Sequence, residues 1–202
     1  MKDRRYANRG QTFEQMLRYT NDRYMSSGVA VICKIPTEIL PIRNPTGKIV
    51  NAKVVGKSTV DFIGRVGSTP IAAEAKETRS GYIRFDAVED HQARFLTAYQ
   101  GQGEAISIVV VSFNLNTFYT VPWPFWKAAR DAWKDAQRLR KRTADKITIE
   151  HNGQTWTTTG KASVREDELL KEWQVPLGGL FGLDYLQNYR HRELSRNEWN
   201  VD

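Results

Sequence analysis

The order of helical and strand-like segments predicts an α/β layer fold with a mixed sheet. Three observations carry that expectation. Helix-period apolar patterns near residues 12–24, 86–100 and from 123 onward alternate with short β-branched runs such as VAVICKI and ISIVVVSF. Turn signals separate these segments at Ser26-Ser27-Gly28, Asn44-Pro45-Thr46-Gly47 and Gly67-Ser68. Hydrophobic residues make up 40% of the 202, enough for one domain over 1–202 to bury its own core without staples.

Taken in order, residues 1–8 are polar and basic and read as a loose tail. Thr12 followed by Gln15 has capping-box spacing, so a helix starts there, with Phe13, Met16, Leu17, Thr20 and Tyr24 on one face. Val29–Ile35 reads as a buried strand. Residues 36–57 hold three prolines and two runs able to pair around the Asn44–Gly47 turn, and they read as a projecting basic hairpin. Val60–Val66 and Ile71–Lys76 form a tight hairpin, Asp86–Gln100 a helix, and Ile106–Phe113 a buried strand with Phe118–Val121 behind it. From Trp123 to Lys146 the chain reads as one basic helix whose Trp126, Ala129, Trp133 and Ala136 face the core. A strand pair around Thr148–Thr158, a polar helix near Arg165–Trp173 and the apolar LGGLFGLDYL follow, and residues 188–202 read as a second loose tail.

Lys and Arg number 30 against 23 Asp and Glu, and a net +7 favours a polyanionic partner. The single Cys33 excludes an internal disulfide and a multi-cysteine zinc site; inside VAVICKI it reads as a small buried core residue. The opening MKDRRYANRGQT has no apolar h-region, and no apolar run approaches the roughly 18 residues of a membrane span. The expected location is therefore the cytoplasm, away from any membrane.

The chemistry sits between Thr59 and Lys76. Side chains alternate along a strand, so Glu74 and Lys76 share one face while Ala73 and Ala75 take the other. The hairpin turn brings Asp61 back toward that pair. Two carboxylates beside an ammonium suit metal-assisted phosphodiester hydrolysis: the acids hold a hard divalent ion, and the lysine opposes charge developing on the phosphorane. The same letters could make an ordinary exposed strand pair. The small apolar setting IAAEA favours a cleft instead.

Asn8-Arg9-Gly10, Thr12, Glu14 and Thr20-Asn21 resemble the opening of the RecU family of Holliday-junction resolvases, within the PD-(D/E)XK nuclease superfamily. VAVICKIP, Ser58-Thr59-Val60-Asp61, Glu74-Ala75-Lys76-Glu77-Thr78, His91-Gln92 and VVVSF continue the likeness in order over residues 8–187. The resemblance implies a restriction-endonuclease-like core, a central mixed sheet flanked by helices, with residues 36–57 as a protruding stalk. It implies that Thr59, Asp61, Glu74 and Gln92 surround Mg²⁺, with Mn²⁺ as a candidate substitute, and that Lys76 stabilises the transition state. Glu14 would complete the acidic cluster, although a helix-dipole role fits it equally. His91 reads as structural. Arg9, Arg43, Lys48, Lys53 and Lys57 are the expected DNA contacts, and lysines on the hairpin fit the protection of a solvated edge equally well.

The function so implied is resolution of four-way DNA junctions by paired symmetrical nicks, in recombination and repair, by a homodimer working with recombination proteins. Two other readings stand beside it. One is a superfamily nuclease acting on duplex ends or flaps; the other is a catalytically silent junction-binding protein. The stretch FIGRVGSTPIAA between Asp61 and Glu74 is less polar than the family pattern, and the 123–146 segment is richer in Trp and Arg. Both departures suit a divergent, for instance phage-borne, member.

Overall fold

A computed structural model of the chain describes residues 9–143 and 146–190, with side chains from residue 12 onward. Helix α1 (Arg9–Ser26) begins three residues before the predicted start, so Glu14 lies past its first turn. β1 (Ala30–Lys34) follows. β2 (Ile39–Arg43) and β3 (Ile49–Val54) then pair antiparallel, and all eleven of their residues are exposed. Asn44 closes their turn by accepting from the Thr46 and Lys48 N–H groups, and Gly47 takes φ 81°, which glycine adopts without strain.

β4 (Phe62–Val66) and β5 (Thr69–Thr78) form the expected hairpin around Gly67-Ser68. β6 (Tyr82–Arg84) leads to a 3₁₀ turn at Phe85–Ala87, and α2 (Asp90–Gln100) starts four residues later than the sequence pattern suggests. Phe85 and Val88 are drawn fully into the core, which keeps Val88 extended. Glu89 and Gln92 then close a reciprocal capping box. β7 (Ile106–Phe113), β8 (Thr117–Pro122) and α3 (Trp123–Arg138) come next. The predicted helix to Lys146 is therefore too long: Arg140 adopts φ 50° and ends it.

β9 (Ile147–His151) and β10 (Gln154–Thr158) form the predicted strand pair, and β11 (Ser163–Arg165) pairs with β6. Residues 165–173 are not an α-helix but two 3₁₀ turns, Glu166–Glu168 and Lys171–Trp173. The indole of Trp156 donates to the Glu168 carbonyl, and Leu169 and Trp173 are buried separately, so tertiary contacts replace the helical ladder. β12 (Leu177–Gly178) and β13 (Gly182–Leu183) close the fold. The tail predicted from Asn188 is anchored at its root. Asn188 donates to the Glu172 carbonyl, Tyr189 is 8% exposed and Arg190 pairs with Asp184. Residues 1–8 and 191–202, the rest of the two expected tails, lie outside the described residues.

The central sheet runs β1-β4-β5-β7-β8, with β5 and β7 parallel and the other pairs antiparallel. It is thus the mixed sheet expected, with helices on both faces. Ile71, Ala73, Ile108 and Val110 pack with Phe13, Leu17 and Tyr24 of α1 on one face. Ala72, Val109, Val111 and Phe113 pack with α2 and with Trp123, Phe125 and Trp126 of α3 on the other. β1 is an edge strand covered on one face only, so Ile32 is buried while Cys33, expected in the core, is exposed. Gly64 permits the tight β1–β4 approach: a Cβ there would lie 2.0 Å from the Val31 carbonyl oxygen.

Candidate active site

The site forms where β4 and β5 meet the start of α2. Val60 is buried in the core, and the Asp61 carbonyl accepts from Ile35 N–H; together these hold Asp61 just ahead of β4 rather than within it. Alternation along β5 turns Ala73 toward α1 and Glu74 toward α2. The two carboxylates meet across the hairpin: Asp61 N–H donates to Glu74 Oε2 at 3.2 Å, and Ala75 N–H donates to Asp61 Oδ2 at 2.9 Å.

Each acid also holds a lysine. Lys76 Nζ lies 2.6 Å from Glu74 Oε1 and 3.3 Å from Gln92 Oε1. Lys34 Nζ lies 2.7 Å from Asp61 Oδ1 and 2.8 Å from Glu14 Oε2. Lys34 was not singled out in the sequence; its only signal there is a lone charge inside the apolar run of β1. Burial alone would lower its pKa, but its bonds to Asp61 and Glu14 outweigh that and raise it. Through Lys34, Glu14 joins the cluster from α1. Three carboxylates then stand against two ammonium groups.

Glu74 is 1% exposed. Burial, reinforced by the adjacent Asp61, pushes its pKa up to about 7 despite the opposing pull of Lys76. A buried carboxylate this reluctant to ionise is stabilised by any cation placed beside it. Among the described residues no group of three His, Cys, Asp or Glu is arranged to hold a metal. Two converging carboxylates nevertheless fit a hard divalent ion that keeps several waters and shares its substrate's phosphate.

The remaining predicted residues take varied positions. Gln92 reaches the site with its nitrogen, donating to Glu74 Oε1 at 2.6 Å. Its oxygen accepts from Glu89 N–H at 2.9 Å and from Lys76 at 3.3 Å, so it serves the cap of α2 and the site at once. Thr59 is exposed at the bend two residues before Asp61. His91 Nε2 lies 3.1 Å from the Ser58 carbonyl oxygen, tying α2 to that bend. Lys57 pairs with Glu89, Arg43 donates to the Gly47 carbonyl, and Lys48 and Lys53 stand exposed on the β2–β3 hairpin. The Arg9 side chain lies outside the described residues.

The sequence profile described as RecU, Recombination protein U, matches residues 8–187. A Holliday junction resolvase RecU of Streptococcus gordonii is 36% identical over 126 residues, covering 59% of this chain and 63% of that protein. One from Streptococcus pneumoniae is 43% identical over 115 residues, covering 54% of this chain and 58% of the relative. One from Streptococcus oralis is 38% identical over 114 residues, covering 54% and 57%. The chain thus matches about three fifths of the length of these relatives. With the profile spanning nearly all of it, the chain belongs to the RecU family.

Proposed function

We propose that this chain is a Mg²⁺-dependent endonuclease that resolves four-way DNA junctions by paired symmetrical nicks, acting as a homodimer. The observation that carries the proposal is the meeting of Asp61, Glu74 and Lys76 in one largely buried, hydrogen-bonded cluster. Family membership supports the substrate, since the relatives are named Holliday junction resolvases. Two-fold symmetry supports the assembly: strands of like polarity across a junction are related by a dyad, and a C2 dimer supplies two sites with that relation.

Asp61 and Glu74 would hold the ion, with Thr59 and Gln92 completing the ligand set. When bound, Mg²⁺ polarises the phosphoryl oxygen and lowers the pKa of the attacking water. Mn²⁺, which shares the preference for oxygen donors, is the expected substitute. Lys76 presents its ammonium to the non-bridging oxygens, where negative charge grows in the transition state. Glu74 and Gln92 hold that ammonium in place before substrate arrives. Lys34, tied to Glu14, orients Asp61. The exposed β2–β3 hairpin serves as a stalk that reaches toward the branch point, with Arg43, Lys48, Lys53, Lys57 and Arg9 as the phosphate contacts. Such an enzyme works beside recombination proteins on cytoplasmic DNA.

The test compares a synthetic four-way junction with a linear duplex of matched sequence, each with Mg²⁺ and with EDTA. Paired nicks in opposed strands of the junction, dependent on Mg²⁺, are expected. Equal cutting of the duplex ends would favour an end- or flap-directed nuclease. Tight junction binding with no cleavage in Mg²⁺ would make the protein a silent binding module.

A further inference from the structure

The C-terminal end of α3 carries cations that the proposed stalk and active site leave unused. Its placement follows from the core. Trp123, Phe125, Trp126 and Ala129 are fully buried or nearly so and hold the first half of the helix. Trp123 donates its indole N–H to Thr97 Oγ1 near the end of α2, while Arg130 and Lys134 both pair with Asp90 at the start of α2. The two helices therefore run antiparallel. Asp90 is two residues from Gln92, whose amide touches Glu74. The C-terminal half of α3 therefore lies against the end of α2 that carries Gln92.

The cations on the helix itself are largely matched. Arg130 and Lys134 share Asp90, Lys127 pairs with Asp131, and Arg138 pairs with Asp135. Beyond the last turn the pattern changes. Arg140 and Lys141 are exposed, and neither makes an ion pair among the described residues.

Their backbone is held firmly. Arg140 N–H donates to the Gln137 carbonyl at 3.0 Å and Lys141 N–H to the Ala136 carbonyl at 2.9 Å, the paired bonds of a Schellman helix stop. The residue at φ 50° in such a stop is usually glycine, because a Cβ is strained there. This chain places an arginine in that position. An ordinary C-terminal charge interacting with the helix dipole needs no such placement, since Arg138 already supplies it.

We propose that Arg140 and Lys141 form a second DNA site, a fixed ledge that grips the phosphate backbone of a duplex arm beside the active site. The inference rests on the nuclease reading above. A backbone contact carries no sequence information, so the ledge contributes affinity and arm orientation rather than sequence choice. Each of the two phosphate contacts releases DNA counterions and adds about 0.9 to the magnitude of the salt slope of binding.

The test uses the full chain carrying Arg140→Gly and Lys141→Ala together. Binding of a labelled four-way junction and of a linear duplex of one arm's sequence is measured in EDTA across salt concentrations. Lys171→Ala, in the turn whose Trp173 packs on Phe125 near the start of α3, serves as the charge control. The double variant is expected to lose on the order of tenfold in affinity at 0.1 M salt and about 1.8 in slope on both DNAs. Its melting temperature should rise or hold, because glycine relieves the strained φ. Slopes equal to those of the unaltered chain, which itself binds and cuts, would overturn the ledge alone. A loss confined to the junction would shift the contact to the branch point and overturn the arm assignment. An unaltered chain that neither binds nor cuts DNA would overturn the nuclease reading and the ledge with it.

Discussion

Glu74→Gln should make the protein less sensitive to pH while removing its activity. In the folded chain the Glu74 carboxyl keeps its proton up to about pH 7, against an ordinary value of 4.5. Between those two values the unfolded chain releases a proton that the folded chain still holds. Stability is therefore greatest below about pH 4.5 as far as this group is concerned, and it falls as pH rises through 7. At about 1.4 kcal/mol per pH unit the loss amounts to about 3 kcal/mol. For a chain of this size that corresponds to roughly 6–12 °C in melting temperature. The acids held low by their partners, Asp86, Glu89 and Asp90, are exposed and titrate below this window, so they do not mask it.

The assay is thermal melting without divalent ions from pH 5 to 8, for the parent and for Glu74→Gln. The parent curve should drop across the window, and that of the variant should be much flatter. The difference in slope is the readout, because losing the Glu74–Lys76 pair displaces the whole variant curve. Added Mg²⁺ should raise the parent's melting temperature at pH 8 and leave the variant's nearly unchanged. Parallel curves, or equal stabilisation of both proteins by Mg²⁺, would refute the assignment of a strained buried carboxylate awaiting a cation.

Other consequences can be measured directly. Lys34→Met removes the tie between Asp61 and Glu14 and should lower single-turnover junction cutting by about 10–100-fold with little change in junction affinity; unchanged cutting would place Lys34 outside the mechanism. Replacing residues 39–54 by a short Gly-Ser link removes the exposed strands β2 and β3 and their turn, in which only Asn44 is half-buried. Melting should then shift by no more than a few degrees while junction cutting is lost, and retained resolution would dismiss the stalk role. Gly64→Ala drives a methyl group into the β1 backbone and should destabilise by about 1–3 kcal/mol or more in urea unfolding. A neutral effect would mean that β1 can move away from β4.

The core of the site was legible because its logic is local. A two-residue turn and period-2 alternation bring Asp61, Glu74 and Lys76 together within one hairpin, and both features can be read from neighbouring letters. Lys34 was not legible for the opposite reason: its partner Asp61 is 27 positions away, and only the β1–β4 register places them together. Cys33 misled because VAVICKI has the composition of a doubly buried strand, whereas β1 lies at the sheet edge with one face open. The ends of helices were hidden where backbone and packing overrode pattern. Arg140 stops α3 in a conformation its residue type does not advertise, and Trp156 takes the Glu168 carbonyl that a helix over 165–173 would need. Gln92 carries a second role that its residue type did not reveal, since its oxygen also closes the cap of α2.

In the proposed reaction the acid pair is the agent of phosphodiester cleavage, and Asp61→Ala tests that role most directly. Junction binding in EDTA and single-turnover cutting in Mg²⁺ are measured side by side for the parent and the variant. Affinity within a few-fold of the parent, with cutting reduced by about a thousandfold, is the predicted result. Symmetrical nicking that persists at the parent's rate would contradict it and move the active site elsewhere on the molecule.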